Sequence, residues 1–106
     1  MEKSIKELYE QINFIGFYCT YHRDGDYVAM ARALIPEVNK FVQWFLTEKK
    51  LGIPEEEHLL MNQNLLLIVQ DIVEALKQED RVLMMDALEQ GISEYLKMFL
   101  PEIEEE

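Results

Sequence analysis

Apolar residues recur along most of the chain at three- and four-residue spacing, the period of an α-helix that buries one face. Ile5, Leu8, Ile12, Ile15 and Cys19 form the first such stripe, widened on one side by Phe14, Phe17, Tyr18 and Tyr21. Ser4 to Glu7 fits a capping box at its start, and Arg23 to Asp26 reads as a turn in which Gly25 can take a positive φ. A second helix is expected from Asp26 or Tyr27, with Asp26 as N-cap and a stripe through Leu34, Val38, Phe41 and Phe45, flanked by Ile35 and Val42. Pro36 lies inside that pattern, where it removes a backbone donor and crowds the preceding turn, so a kink or a short break is expected. The segment from Lys49 to Pro54 ends this helix.

A third helix is expected to start at Pro54, with Glu55, Glu56 and Glu57 in its positive first turn. Its stripe reads Leu59, Leu66, Val69, Val73 and Leu76, broadened by Leu65, Ile68 and Ile72, which predicts the most deeply buried helix of the chain. Asp80 is the expected N-cap of a fourth helix carrying Val82, Leu88, Ile92, Tyr95 and Phe99, with Met84, Met85 and Leu96 alongside. Pro101 stops it, leaving an acidic tail over residues 101–106.

The two halves resemble each other at one offset. Asp26, Val28, Met30, Ala33 and Leu34 recur 54 residues later as Asp80, Val82, Met84, Ala87 and Leu88. Downstream, Val38 falls on Ile92, Phe41 on Tyr95 and Trp44 on Met98; upstream, Ile5 falls on Leu59, Ile12 on Leu66 and Ile15 on Val69. The pattern points to a duplicated helical hairpin. The expected fold is therefore all-α: a four-helix up-down bundle of two repeated hairpins, 4–50 and 54–100, in one domain.

Composition narrows the functions open to such a bundle. The chain has 106 residues, 49% of them hydrophobic, enough for one core. A formal net charge of -11, with no basic stripe to offset it, disfavours nucleic acid and anionic membrane as partners. The longest aliphatic run, Leu65 to Val69, is too short to span a bilayer, and no signal-peptide pattern is present, so a cytoplasmic location is expected. The single cysteine, Cys19, forms no internal disulfide and continues the first core stripe.

The segment from Glu79 to Leu100, with Asp80, Val82, Leu83, Asp86, Leu88 and Glu89, resembles small uncharacterised all-helical bacterial proteins. It is also similar to the flagellar export chaperones, small acidic helical bundles. That second resemblance implies a role in holding a partner's amphipathic helix, and neither resemblance supplies a catalytic residue.

No residue constellation outweighs its structural explanation. Glu55 and His58 have di-metal ligand spacing, but such sites need the motif twice, and His22 has Cys19 where the second Glu belongs. Cys19 and His22 lack an orienting third group. Asp24-Gly25-Asp26 lacks the remaining positions of a calcium loop. No catalytic residue, metal or cofactor is expected. The chain reads as a non-enzymatic interaction module (adaptor, chaperone or regulator) whose partner is another protein or a second copy. The alternatives are a bundle with a ligand pocket or active site, near Asn13, Asn62 and Asn64, and a structural homodimer. Trp44 sits at the polar edge of its helix beside Glu37, Lys40 and Glu48, and Met98 holds the equivalent edge in the second half. Trp44, Met98 and Tyr27 are the candidate partner-binding residues.

Overall fold

Two aspartates 54 positions apart set equivalent helix starts. Asp26 Oδ1 accepts the Ala29 N–H and Asp80 Oδ1 accepts the Leu83 N–H, each at 3.1 Å, and each aspartate is in extended backbone before the first helical residue. These caps satisfy backbone donors that the first helical turn leaves without partners. In the computed structural model, residues 2–22, 25–48 and 54–100 are described. Their regular structure is helical throughout, with no strand among the described residues.

Helix α1 spans Glu2–Tyr21, α2 Tyr27–Arg32, α3 Ile35–Glu48 and α4 Glu55–Gln78. The last part of the chain is one helical rod of three pieces: α5 (Arg81–Met85), a π-helical segment (Asp86–Ile92) and α6 (Ser93–Lys97). The break between α2 and α3 falls at Ala33 and Leu34, just before Pro36, which occupies the first turn of α3 where its missing N–H costs nothing. The π-helical segment lies 54 positions on from this break. There the Ser93 N–H reaches the Leu88 carbonyl, five residues back, and the wider turn buries Ala87, Leu88, Gly91 and Ile92 together.

The core joins Ile5, Leu8, Ile12, Ile15 and Cys19 of α1 to Tyr27, Val28 and Ala31 of α2 and to Val38, Phe41, Val42 and Phe45 of α3. Met84, Leu88, Ile92, Tyr95 and Leu96 complete it from the last rod. Helix α1 packs on α2, α3 and the last rod, and α4 packs mainly on α5 and the π-helical segment. Helices α1 and α4 scarcely touch, so each lies at a flank. The molecule measures 44 × 34 × 19 Å, about two helices thick, which leaves outer helix faces uncovered.

Several expectations are corrected. The Ser4 capping box is not used: helical structure already begins at Glu2, so Ser4 is an exposed residue within the helix. Gly25 has no positive φ; a Cβ there would lie 3.0 Å from the His22 carbonyl oxygen and 3.2 Å from Cys19 Sγ, so space rather than backbone freedom selects glycine. The left-handed turn residue is instead Glu79, φ 50°, after α4. Phe14, Phe17 and Tyr21 do not widen the core stripe but project outward, and Val82 is 76% exposed. The segment 49–53, expected to end the second helix, and the tail 101–106 lie outside the described residues.

The largest correction concerns α4, which is not the most buried helix. Its core-facing residues are His58, Leu65, Ile72 and Ala75, one position off the stripe read from sequence. Leu59, Leu66 and Val73 of that stripe face solvent, while Val69 and Leu76 are half-buried. A helix with apolar residues around most of its circumference has no unique inward face in its period. The same shift breaks the upstream half of the repeat correspondence, since Ile5 and Ile12 are buried and Leu59 and Leu66 are not.

Candidate interaction face

The outward face of α4 is the most distinctive surface of the molecule. From Leu59 to Gln70 no residue is charged. Leu59, Leu60, Leu66, Leu67 and Val73 are 57%, 65%, 47%, 58% and 45% exposed, and Gln63 and Gln70 lie exposed between them. At 100° per residue, the leucine pairs recur every seven positions with a glutamine midway, forming one apolar strip along the outer side. Glu56 precedes the strip and Lys77 follows it; both are exposed, and neither is ion-paired among the described residues.

Contacts on the opposite side fix which side of α4 faces outward. A Cβ on Gly91 would lie 2.9 Å from Ile68 Cγ2, so the π-helical segment approaches α4 so closely that a larger residue would force Ile68 to shift. Asn64 Nδ2 donates to the Tyr95 hydroxyl at 3.0 Å, and that hydroxyl donates to the Met61 carbonyl at 2.8 Å. His58 is buried, its ring 6.2 Å from that of Phe45. With Ile68, Met61 and His58 held inward, the Leu59, Leu66 and Val73 column must face away.

By length and composition α4 could cross a membrane, although the longest aliphatic run alone could not: uncharged Asn and Gln extend the apolar stretch without adding charge. Core helices share that property, but only 17% of this stretch is buried. A second exposed apolar row lies on α1. Phe17 and Tyr21 lie tilted to each other at 4.7 Å and Phe14 and Tyr18 at 5.9 Å, while Tyr18 and His22 stack at 4.2 Å.

The three residues singled out from sequence do not form one site. Tyr27 is a core residue, 1% exposed, and its hydroxyl donates to Glu89 Oε2 at 2.8 Å. Burial first, then this hydrogen bond and the Glu89 charge, push its phenol well above the usual range. Gly16 makes room for that carboxylate, since a Cβ there would lie 2.9 Å from Glu89 Oε2. Arg81 Nη2 completes the polar cluster by donating to the Cys19 carbonyl at 3.4 Å. Trp44 is half-buried and stands edge-on to Phe99 at 5.1 Å, within a ring cluster that includes Phe41 and Phe45. Met98, beside Phe99 in sequence, is 41% exposed. The sequence pattern does not reveal the leucine strip, because it places Leu59, Leu66 and Val73 in the core and gives Leu60 and Leu67 no face. Their seven-residue spacing was visible, but the inward direction was not.

Chemistry is sparse in this arrangement. No group of three metal-ligating side chains exists among the described residues. Of the amides considered for a pocket, Asn13 is exposed, Asn64 is held by Tyr95, and Asn62 is half-buried with its Oδ1 unpartnered among the described residues. The cleft lined by Ser4, Ile5, Leu8, Glu37, Lys40 and Phe41 is small, with a volume of about 60 Å³, and partly open. No family model matches the sequence, and no match was found among curated proteins or solved structures.

Proposed function

We propose that this protein is a non-enzymatic interaction module whose docking face is the outer strip of α4. The observation carrying this reading is the exposure of Leu59, Leu60, Leu66, Leu67 and Val73 on one rigidly held helix. A contiguous apolar surface of several hundred Å² on a small protein marks an interaction site more often than a bare surface. Helices recognise such strips through apolar anchors at three- and four-residue spacing. The reading agrees with the role that the flagellar chaperone resemblance implies, holding an amphipathic helix. We further propose that the helices group into four rods derived from two duplicated hairpins. The equivalent Asp26 and Asp80 caps support this, as does the interruption of both second rods at corresponding positions.

Photo-crosslinking tests the docking face. A photoreactive amino acid placed at Leu67 in the source cell should yield adducts to a protein chain, either a different one or a second copy. The same group at exposed Gln11 or Gln43, away from the strip, should not. Equal labelling at all three positions, or no protein adduct at Leu67, overturns the reading.

A further inference from the structure

The outer strip of α4 is self-complementary. Under a two-fold axis midway between Leu66 and Leu67, each residue faces the one whose number makes the sum 133. Leu66 then lies level with Leu67, Leu60 with Val73, Leu59 with Glu74, Gln63 with Gln70, and Glu56 with Lys77. Every one of these side chains is exposed. The glutamine column runs against itself, amide against amide, and so does each flanking column, Leu59, Leu66 and Val73 on one side and Leu60, Leu67 and Glu74 on the other. The cation at one end of the strip meets an anion from the other end of its partner. A parallel pairing would place Glu56 against Glu56 and Lys77 against Lys77. An isologous interface requires this kind of pattern, one surface that complements itself after rotation.

We infer that the strip binds a second copy of this chain, with the two α4 helices antiparallel about Leu66 and Leu67. This rests on the proposed role of α4 as the docking face and names its occupant. Self-pairing has to overcome a net charge of -11 on each chain. The uncharged stretch from Leu59 to Gln70 keeps like charges off the middle of the contact, and the Glu56–Lys77 pairs close both ends. A bilayer fits this face less well. The opposite side of α4 is locked to Gly91 and Tyr95, so the helix cannot enter lipid without unpacking the core. Glu55, Glu56, Glu57, Asp71 and Glu74 also stand along the same helix, where an anionic surface repels them.

Heterotypic disulfide trapping tests the inference in a Cys19→Ala background. A mixture of Leu59→Cys and Val73→Cys chains should crosslink on mild oxidation. Neither should crosslink with itself, whereas Leu67→Cys should. Charge exchange provides a second test that leaves the core and Cys19 intact. Glu56→Lys and Lys77→Glu should each weaken dimerisation, measured by sedimentation equilibrium, by about threefold or more, and the double variant should recover it. Leu66→Glu should weaken it at least tenfold while the helical circular dichroism is kept. Self-crosslinking at positions 59 and 73 would show a parallel arrangement and overturn the proposal. So would a chain that stays monomeric at millimolar concentration, or one that remains monomeric and sediments with phosphatidylcholine–phosphatidylglycerol vesicles through Leu66 and Leu67. A Leu67 photo-adduct to a different protein, from a chain that is itself monomeric, overturns self-pairing but leaves the interaction module standing.

Discussion

Gly91→Ala probes the contact that orients α4. The new Cβ would sit 2.9 Å from Ile68 Cγ2 and 3.1 Å from both Cγ1 and Cδ1, well inside the ~3.5–4.0 Å optimum for carbon pairs. Overpacking of this kind costs about 1–3 kcal/mol, and the helix-propensity gain of Ala over Gly returns about 1 kcal/mol. The net expectation is a loss of about 0–2 kcal/mol, equivalent to a fall in Tm of up to roughly 10 °C for a domain of this size. All the crowded atoms belong to one side chain, so the cost should depend on that side chain. Ile68→Ala alone destabilises by losing packing, but it removes all three clashing carbons. The double variant should therefore be more stable than the sum of the single variants by about 1 kcal/mol or more. Urea unfolding followed by circular dichroism, at one protein concentration throughout, measures the cycle. Additivity within about 0.5 kcal/mol would refute the reasoning, as would a Gly91→Ala variant more stable than the parent. The same contact holds Leu59, Leu66 and Val73 outward, so a variant that rolls α4 should also weaken association.

Three further outcomes are expected. Asp26→Ala and Asp80→Ala should each cost about 1 kcal/mol in urea unfolding and add nearly independently, because each removes one side-chain cap; a loss below about 0.3 kcal/mol at either would show that the cap does not contribute. Trp44→Ala should lose about 2 kcal/mol of folding stability through its contact with Phe99, and association should weaken less than with Leu66→Glu; strong loss of association with unchanged stability would return Trp44 to the interface. Tyr27 keeps its proton in the folded state far above its ordinary value of 10.0, whereas the unfolded chain gives it up near that value. Stability from this residue is thus fully present below about pH 10 and declines above it, by up to about 1.4 kcal/mol per pH unit. Tyr27→Phe should flatten the alkaline unfolding slope, and an unchanged slope would show that Tyr27 does not couple to folding.

Much of the fold was legible because local chemistry specifies it. Asp26 and Asp80 cap helices through bonds to residues three positions on, and no distant contact is needed for that. Pro36 had to lie at a helix start or break one. The α1 stripe from Ile5 to Cys19 was readable because Glu7, Glu10, Gln11 and Thr20 mark the solvent side among them. Tertiary structure alone decided the rest. Helix α4 offers apolar residues in several directions, and its inward face was chosen by partners remote in sequence: Gly91, whose missing side chain admits Ile68, and Tyr95, whose hydroxyl engages Met61 and Asn64. The burial of Tyr27 likewise depends on Glu89, 62 residues away, and on the space that Gly16 leaves for its carboxylate. Periodicity establishes that a helix has an apolar surface, but the packing of the other helices determines which part of it is covered and which is left to bind.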